Sequence, residues 1–290
     1  MVNIKERGLL MRDFFKKKAV LICSAVLCGI LAVLIFLEAG TLVVSANTRT
    51  WTPDYERKDI SYLLDGRELT DADYELIYRQ TGLTRIGVDD LIAAGKISQI
   101  LKIQNDFFAS DELEITNFGL FINSFDRARG HYAYPELRDG DIVCSYSTYL
   151  SWFEVGHAAI VIDAERGLLA EITGYGTDVS IVPASKVFTN STHVVLRPRC
   201  DEGVISSAVQ YVEDNMLGME YDIFVGIFSA KAKKNLKRTH CSHMVWYAYD
   251  KMGIDLDSNG GGVVTPRDIV MSEHLEVVAV RGIDLVKLGR

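Results

Sequence analysis

Gly156-His157-Ala158-Ala159-Ile160-Val161-Ile162-Asp163 is followed by the turn Ala164-Glu165-Arg166-Gly167 and then by Leu168-Leu169-Ala170-Glu171-Ile172. Two short apolar runs joined by a tight turn read as a hairpin, with strands over Ala158–Ile162 and Leu168–Ile172. Reflection through the turn brings Glu171 to about the level of Ile160, within a diagonal or so of His157. This sets a carboxylate among apolar residues of the returning arm near a histidine at the strand mouth, in a register that the sequence does not fix, with an outward-facing Glu171 as the alternative. The carboxylate needs a partner wherever it is buried.

Outward from the hairpin, short apolar runs separated by turn residues begin at Asp139-Gly140-Asp141. They read as strands at Ile142–Cys144, Val179–Val182 and Val194–Leu196. A helix follows, with Ile205, Ala208, Val209, Val212 and Met216 on one face and Gly218 at its end. A basic loop, Lys231 to Arg238, precedes a helix from Cys241 to Met252 whose buried stripe is Val245, Ala248, Tyr249 and Met252. Thr265-Pro266-Arg267-Asp268 is a capping box with proline in the first turn, ahead of a strand through Val277–Val280. The Gly260-Gly261-Gly262 run lacks the Lys-Ser/Thr of a phosphate loop and reads as a flexible connection. Residues 136–290 thus belong to the α+β class, with an antiparallel sheet packed on helices.

Upstream the signals are helical. Thr70-Asp71-Ala72-Asp73 opens a helix that Gly82 closes, a second spans Val88 to Ala94 before Gly95, and a third runs from Ile97 to Ala109. These give a helical juxtamembrane region over residues 47–135. Earlier still, Ala19 to Leu37 carries no charge. A helix of that length is roughly 28 Å long, close to the hydrocarbon thickness and longer than the ~7–15 residues of a signal-peptide core. Lys5, Arg7, Arg12, Lys16, Lys17 and Lys18 against Glu6 and Asp13 keep residues 1–18 in the cytoplasm by the positive-inside rule. Everything after Leu37 then lies outside the membrane. The competing reading is a long signal peptide cleaved after Val44-Ser45-Ala46, which would release the domain.

Taking the +4 of the first 18 residues from the total of −8 leaves −12 on the exported part. So acidic a surface excludes nucleic acid and polyanionic wall polymers as partners. Cys23 and Cys28 lie in the apolar run, and neither sits in a lipobox, because Ile22 and Leu27 precede them. Cys144, Cys200 and Cys241 lie outside, an odd number that leaves at least one thiol unpaired or bonded to another molecule. A Cys144–Cys200 bridge is neither required nor forbidden by the sequence.

Cys241 is the candidate nucleophile. It opens a helix, where backbone N–H groups and the dipole favour a thiolate, and Lys231, Lys233, Lys234, Lys237 and Arg238 precede it. A cysteine on an amphipathic helix is otherwise a small buried hydrophobe. His240 and His243 do not share its helix face and read as solvated or structural. His157 is the candidate base and Glu171 its orienter, with His193, ahead of Val194–Leu196, as the alternative base. His131 and His274 have no organised neighbours. Cys241 and His243 alone do not make a zinc site.

Taken together, Gly140-Asp141-Ile142-Val143, Gly156-His157-Ala158-Ala159-Ile160-Val161, the strand with Glu171, Gly218-Met219-Glu220-Tyr221-Asp222 and Cys241-Ser242-His243-Met244-Val245 resemble the YiiX/YebB group of permuted papain-like hydrolases in the NlpC/P60 superfamily. The resemblance covers about residues 136 to 280. It implies a circularly permuted papain-like fold with the histidine strand ahead of the cysteine helix, and a Cys241–His157–Glu171 triad. It also implies that Tyr221 helps bind the oxyanion. No metal or organic cofactor is expected. The substrate classes it implies are peptidoglycan peptide amides first and a lipid or N-acyl amide second; an inactive membrane-tethered binding module is the reading from another class.

Overall fold

The hairpin forms, and it lies inside a six-stranded antiparallel sheet in a computed structural model that describes residues 4–48, 51–119, 121–232, 235–285 and 289. Lys233 and Lys234 lie outside the described residues, as do the side chains of Lys5, Glu6, Arg7, Arg12 and Asp13. In chain order the elements are α1 (Ile4–Asn47), α2 (Asp71–Thr81), α3 (Arg85–Ala93), α4 (Ile97–Phe107), β1 (Leu113–Gly119), β2 (Ile122–Arg127), β3 (Ile142–Ser145), β4 (Thr148–Leu150), β5 (Phe153–Glu154), β6 (His157–Asp163), β7 (Leu168–Glu171), β8 (Ser180–Pro183), α5 (Ala184–Val187), β9 (His193–Pro198), α6 (Glu202–Asn215), β10 (Glu220–Tyr221), β11 (Arg238–Thr239), α7 (Cys241–Asp250), α8 (Pro266–Val270) and β12 (Leu275–Arg281).

The six-stranded sheet has the order β12-β9-β3-β6-β7-β8, and a second antiparallel sheet has the order β1-β2-β4-β5. The mixed α+β class and the antiparallel sheets agree with the sequence. The first sheet is covered on both sides. Ala158, Ile160 and Ala170 pack with Val209, Met244, Val245 and Ala248 of α6 and α7, while Val143, Ala159, Val161 and Leu169 pack with Ile77, Leu83, Val88 and Leu91 from the upstream helices. Double coverage explains why β6 is an unbroken apolar run, since neither face needs polar residues.

The upstream helices are thus part of the same core. Thr70 and Asp73 make both halves of the capping box on α2, and Gly82 closes it at φ 74°. Asp90 of α3 pairs with Arg197 of β9, which also forks onto the fully buried Asp141 at 2.9 and 2.8 Å. Thr84 donates through its hydroxyl to the carbonyls of Val277 and Val278, at 2.7 and 3.0 Å, across 194 positions of chain in the longer case. One expectation fails between residues 113 and 127, where a β-hairpin replaces helix. Its first strand alternates, Leu113 and Ile115 against Glu114 and Thr116, and β2 pairs onward to β4, so tertiary pairing decides the local state.

Helix α1 extends beyond the charge-free run at both ends. Its Phe14–Asn47 portion is long and apolar enough to cross a membrane, with a mean hydropathy of 3.1 in its best window and no burial against the rest of the chain there. Cys144 and Cys200 are both free thiols, so no bridge joins them.

Candidate active site

Gly156 positions the histidine. Its φ is +67°, and a Cβ there would come within 2.6 Å of the Ser145 carbonyl oxygen, so only glycine lets β6 start this close to β3. Alternation along β6 puts His157 on the side of Ala159 and Val161, and Glu171 takes the side of Leu169, which is the same side. The ladder pairs Ile160 with Ala170 rather than with Glu171, because a bulge between Val161 and Asp163 shifts the register. The shift brings Glu171 one step nearer the histidine. His157 Nε2 then meets Glu171 Oε2 at 2.9 Å, with both side chains buried.

Cys241 is the first residue of α7, which packs on the opposite face of the sheet. Its thiol lies beside the His157 ring at the mouth of β6, near enough for each group to shift the other's protonation. The electrostatics follow from the contacts. Burial alone would push the Cys241 thiol up, but the neighbouring His157 ring, and His240 after it, hold it well below the ordinary range. Burial would lower His157, yet the Cys241 thiol beside it and its bond to Glu171 raise it above the usual imidazole range. Glu171, although buried, is held at about 2 by His157 and by Lys186, whose Nζ donates to Oε1 at 2.7 Å. The arrangement favours a thiolate–imidazolium pair backed by a carboxylate.

Two members were not read from the sequence. Lys186 comes from the short helix α5 and fixes the second oxygen of Glu171. His240 was set aside because neighbours in a helix do not share a face, but it is the N-cap, with extended dihedrals of φ −125° and ψ 170°. The helix-face rule does not apply there: Nδ1 accepts from the His243 N–H at 3.4 Å, and Nε2 is buried in the cavity wall without a hydrogen-bond partner among the described residues. A polar residue immediately before a candidate nucleophile at a helix start was the signal. His243 matches the structural reading: Nδ1 meets Thr239 Oγ1 and Nε2 meets the Lys231 carbonyl, both at 2.9 Å. Lys231 itself pairs with Asp257, and Arg238 with Glu220 at 3.2 Å, so the leading influences on the thiol are the two imidazoles.

Cys241, His157, Glu171, Tyr221 and His240 line one cavity of about 690 Å³. Its walls also include Ile122, Leu150, Val155, Ile223, Ile227 and Val264. Tyr221 is close enough for a thiolate at Cys241 to raise its phenol further, after the larger effect of burial. His193 does not line the cavity. It is packed against Phe188 with ring centroids 4.9 Å apart. In comparisons with known proteins, no family model matches the chain and no curated protein matches it.

Proposed function

We propose that the chain is a cysteine hydrolase of the permuted papain-like kind, held by α1 in a membrane with residues 1–18 in the cytoplasm and the catalytic domain outside. The observation that carries this reading is the buried His157–Glu171 hydrogen bond with the Cys241 thiol beside it at the wall of one cavity. The Cys241 thiolate attacks a substrate carbonyl carbon, and the oxygen takes the negative charge, stabilised by the Cys241 N–H at the start of α7 and by the Tyr221 hydroxyl. His157 gives its proton to the leaving nitrogen as the C–N bond breaks, which leaves a thioester on Cys241. Water, deprotonated by His157, then releases the acid and restores the thiolate. Glu171 keeps the ring turned and favours its charged form throughout.

The leading substrate is an amide bond in a peptidoglycan peptide. A lipid or N-acyl amide is the second reading, favoured by the apolar side chains of Ile122, Leu150, Val155, Ile223 and Ile227 in the cavity walls. An electrophilic thiol probe with peptide mapping tests the chemistry. Selective labelling of Cys241 is expected; a Cys241 no more reactive than Cys200 would leave a binding module. Mass identification of a fragment released from purified wall or from lipid extract then decides the substrate.

A further inference from the structure

The outer end of the charge-free run is not bare. The Ser151–Phe153 turn between β4 and β5 rests on it: Trp152 Nε1 donates to the Phe36 carbonyl at 3.2 Å, Ser151 Oγ donates to the Leu37 carbonyl at 2.7 Å, and the Phe36 and Trp152 rings lie 5.9 Å apart. Gly40 permits the crossing, because a Cβ there would lie 2.2 Å from Ser151 Oγ and 2.3 Å from Trp152 Nε1. Further along, Asn123 donates to Ser45 Oγ at 3.1 Å. Ser151 itself holds a left-handed φ of 54°, an unfavourable conformation for a residue with a side chain and one that persists where surroundings over-determine it.

Phe36 and Leu37 are the last two residues before Glu38, the first carboxylate after the run, so they mark the level where hydrocarbon gives way to headgroups. At that level the turn presents Trp152, 39% exposed, and Phe153, 63% exposed. An indole with its N–H satisfied beside an open phenyl ring suits the interface between lipid and water. We propose that the Ser151–Phe153 turn is a second membrane contact, which seats one wall of the catalytic cavity on the lipid surface. Leu150 and Glu154, on either side of the turn, line the cavity. Phe153 is four positions before His157, so the base stands at most about 14 Å of extended chain from the contact. The partner is a zwitterionic or neutral bilayer, because the −12 of the exported chain repels anionic headgroups and the contact residues carry no charge.

The proposal rests on α1 being an anchor and is independent of the cysteine chemistry. The test uses the full chain in phosphatidylcholine vesicles whose acyl chains carry bromine near the carbonyl end, with tryptophan emission as the readout. Wild type should lose at least about twice as much emission to the bromines as Trp152→Phe, which keeps an aromatic ring in the turn, and Phe153→Asp should weaken the Trp152-dependent part. Each variant is checked for Cys241 labelling and for resistance to alkaline extraction. Release of the wild type by alkali would remove the anchor and the proposal with it. Retention in the bilayer with equal quenching of wild type and Trp152→Phe would overturn the proposal alone, whatever Cys241 does.

Discussion

His157 and His193 begin two strands that flank the same neighbour, β3, and both are buried at the same end of the sheet. Their surroundings differ. His157 has a carboxylate on Nε2 and the Cys241 thiol beside it, and is raised. His193 lies against Phe188 and Tyr132; burial first, and then the charge of Arg281, push it down to about 3. Two strand spacings, about 10 Å, turn an imidazole that holds a proton into one that refuses it. A strand-end histidine acquires a role from what the next elements bring to it.

The sharpest way to break this comparison is to remove each ring. His157→Ala should abolish turnover by about 10⁴-fold or more in a folded protein, as should Cys241→Ala, and the double variant should be no worse than either, since the two act as a unit. His193→Ala should keep most of the turnover; activity that followed His193 instead would move the base to β9. Glu171→Gln comes next, with an expected loss of about 10²–10⁴-fold in kcat, because the shape stays and the charge goes. Little change there would mean that Lys186 and the carboxylate serve only packing.

A smaller effect should appear in thiol reactivity. With Cys241 lowered and His157 raised, alkylation of Cys241 should stay fast as the pH falls from about 8 to about 6, whereas in His157→Ala it should slow as an ordinary thiol does, titrating towards ~8.5. Coincident profiles would dissolve the ion pair. The smallest concerns stability. His193 has a folded value below its unfolded value, so the unfolded chain binds the extra proton between about pH 6.5 and about 3. Stability should therefore fall with acid in that window by at most about 1.4 kcal/mol per pH unit, and His193→Phe should lose that slope. Chemical denaturation at several pH values reads it.

Much of the sheet was legible because β6, β7 and β9 are apolar runs between clear turns, and α2 and α8 were legible because Thr70–Asp73 and Thr265–Asp268 are local capping chemistry. What escaped depends on distant chain. The hairpin of β1 and β2 owes its place to β4, and Lys186 reaches Glu171 only because β8 runs back along β7 and sets α5 down beside that strand. Bulges are similarly silent: Glu171 was placed one position off because Ile162 has no partner across the ladder. His240 escapes the helix-face rule because that rule holds for helix interiors and His240 is the N-cap of α7.

The Thr84 contact with Val278 has a consequence for how the protein comes into being. Ribosomes deliver α2, α3 and α4 nearly two hundred residues before the strand that closes over them, and Leu83 bridges to Ala279 only at the end. Until β12 arrives, the apolar side chains of Leu83 and Val88 lack part of their cover, so the newborn chain passes through a long interval in which quality-control proteases and chaperones can find it. A nonsense mutation near residue 270 should accordingly leave far less protein in the cell than the loss of so short a tail suggests.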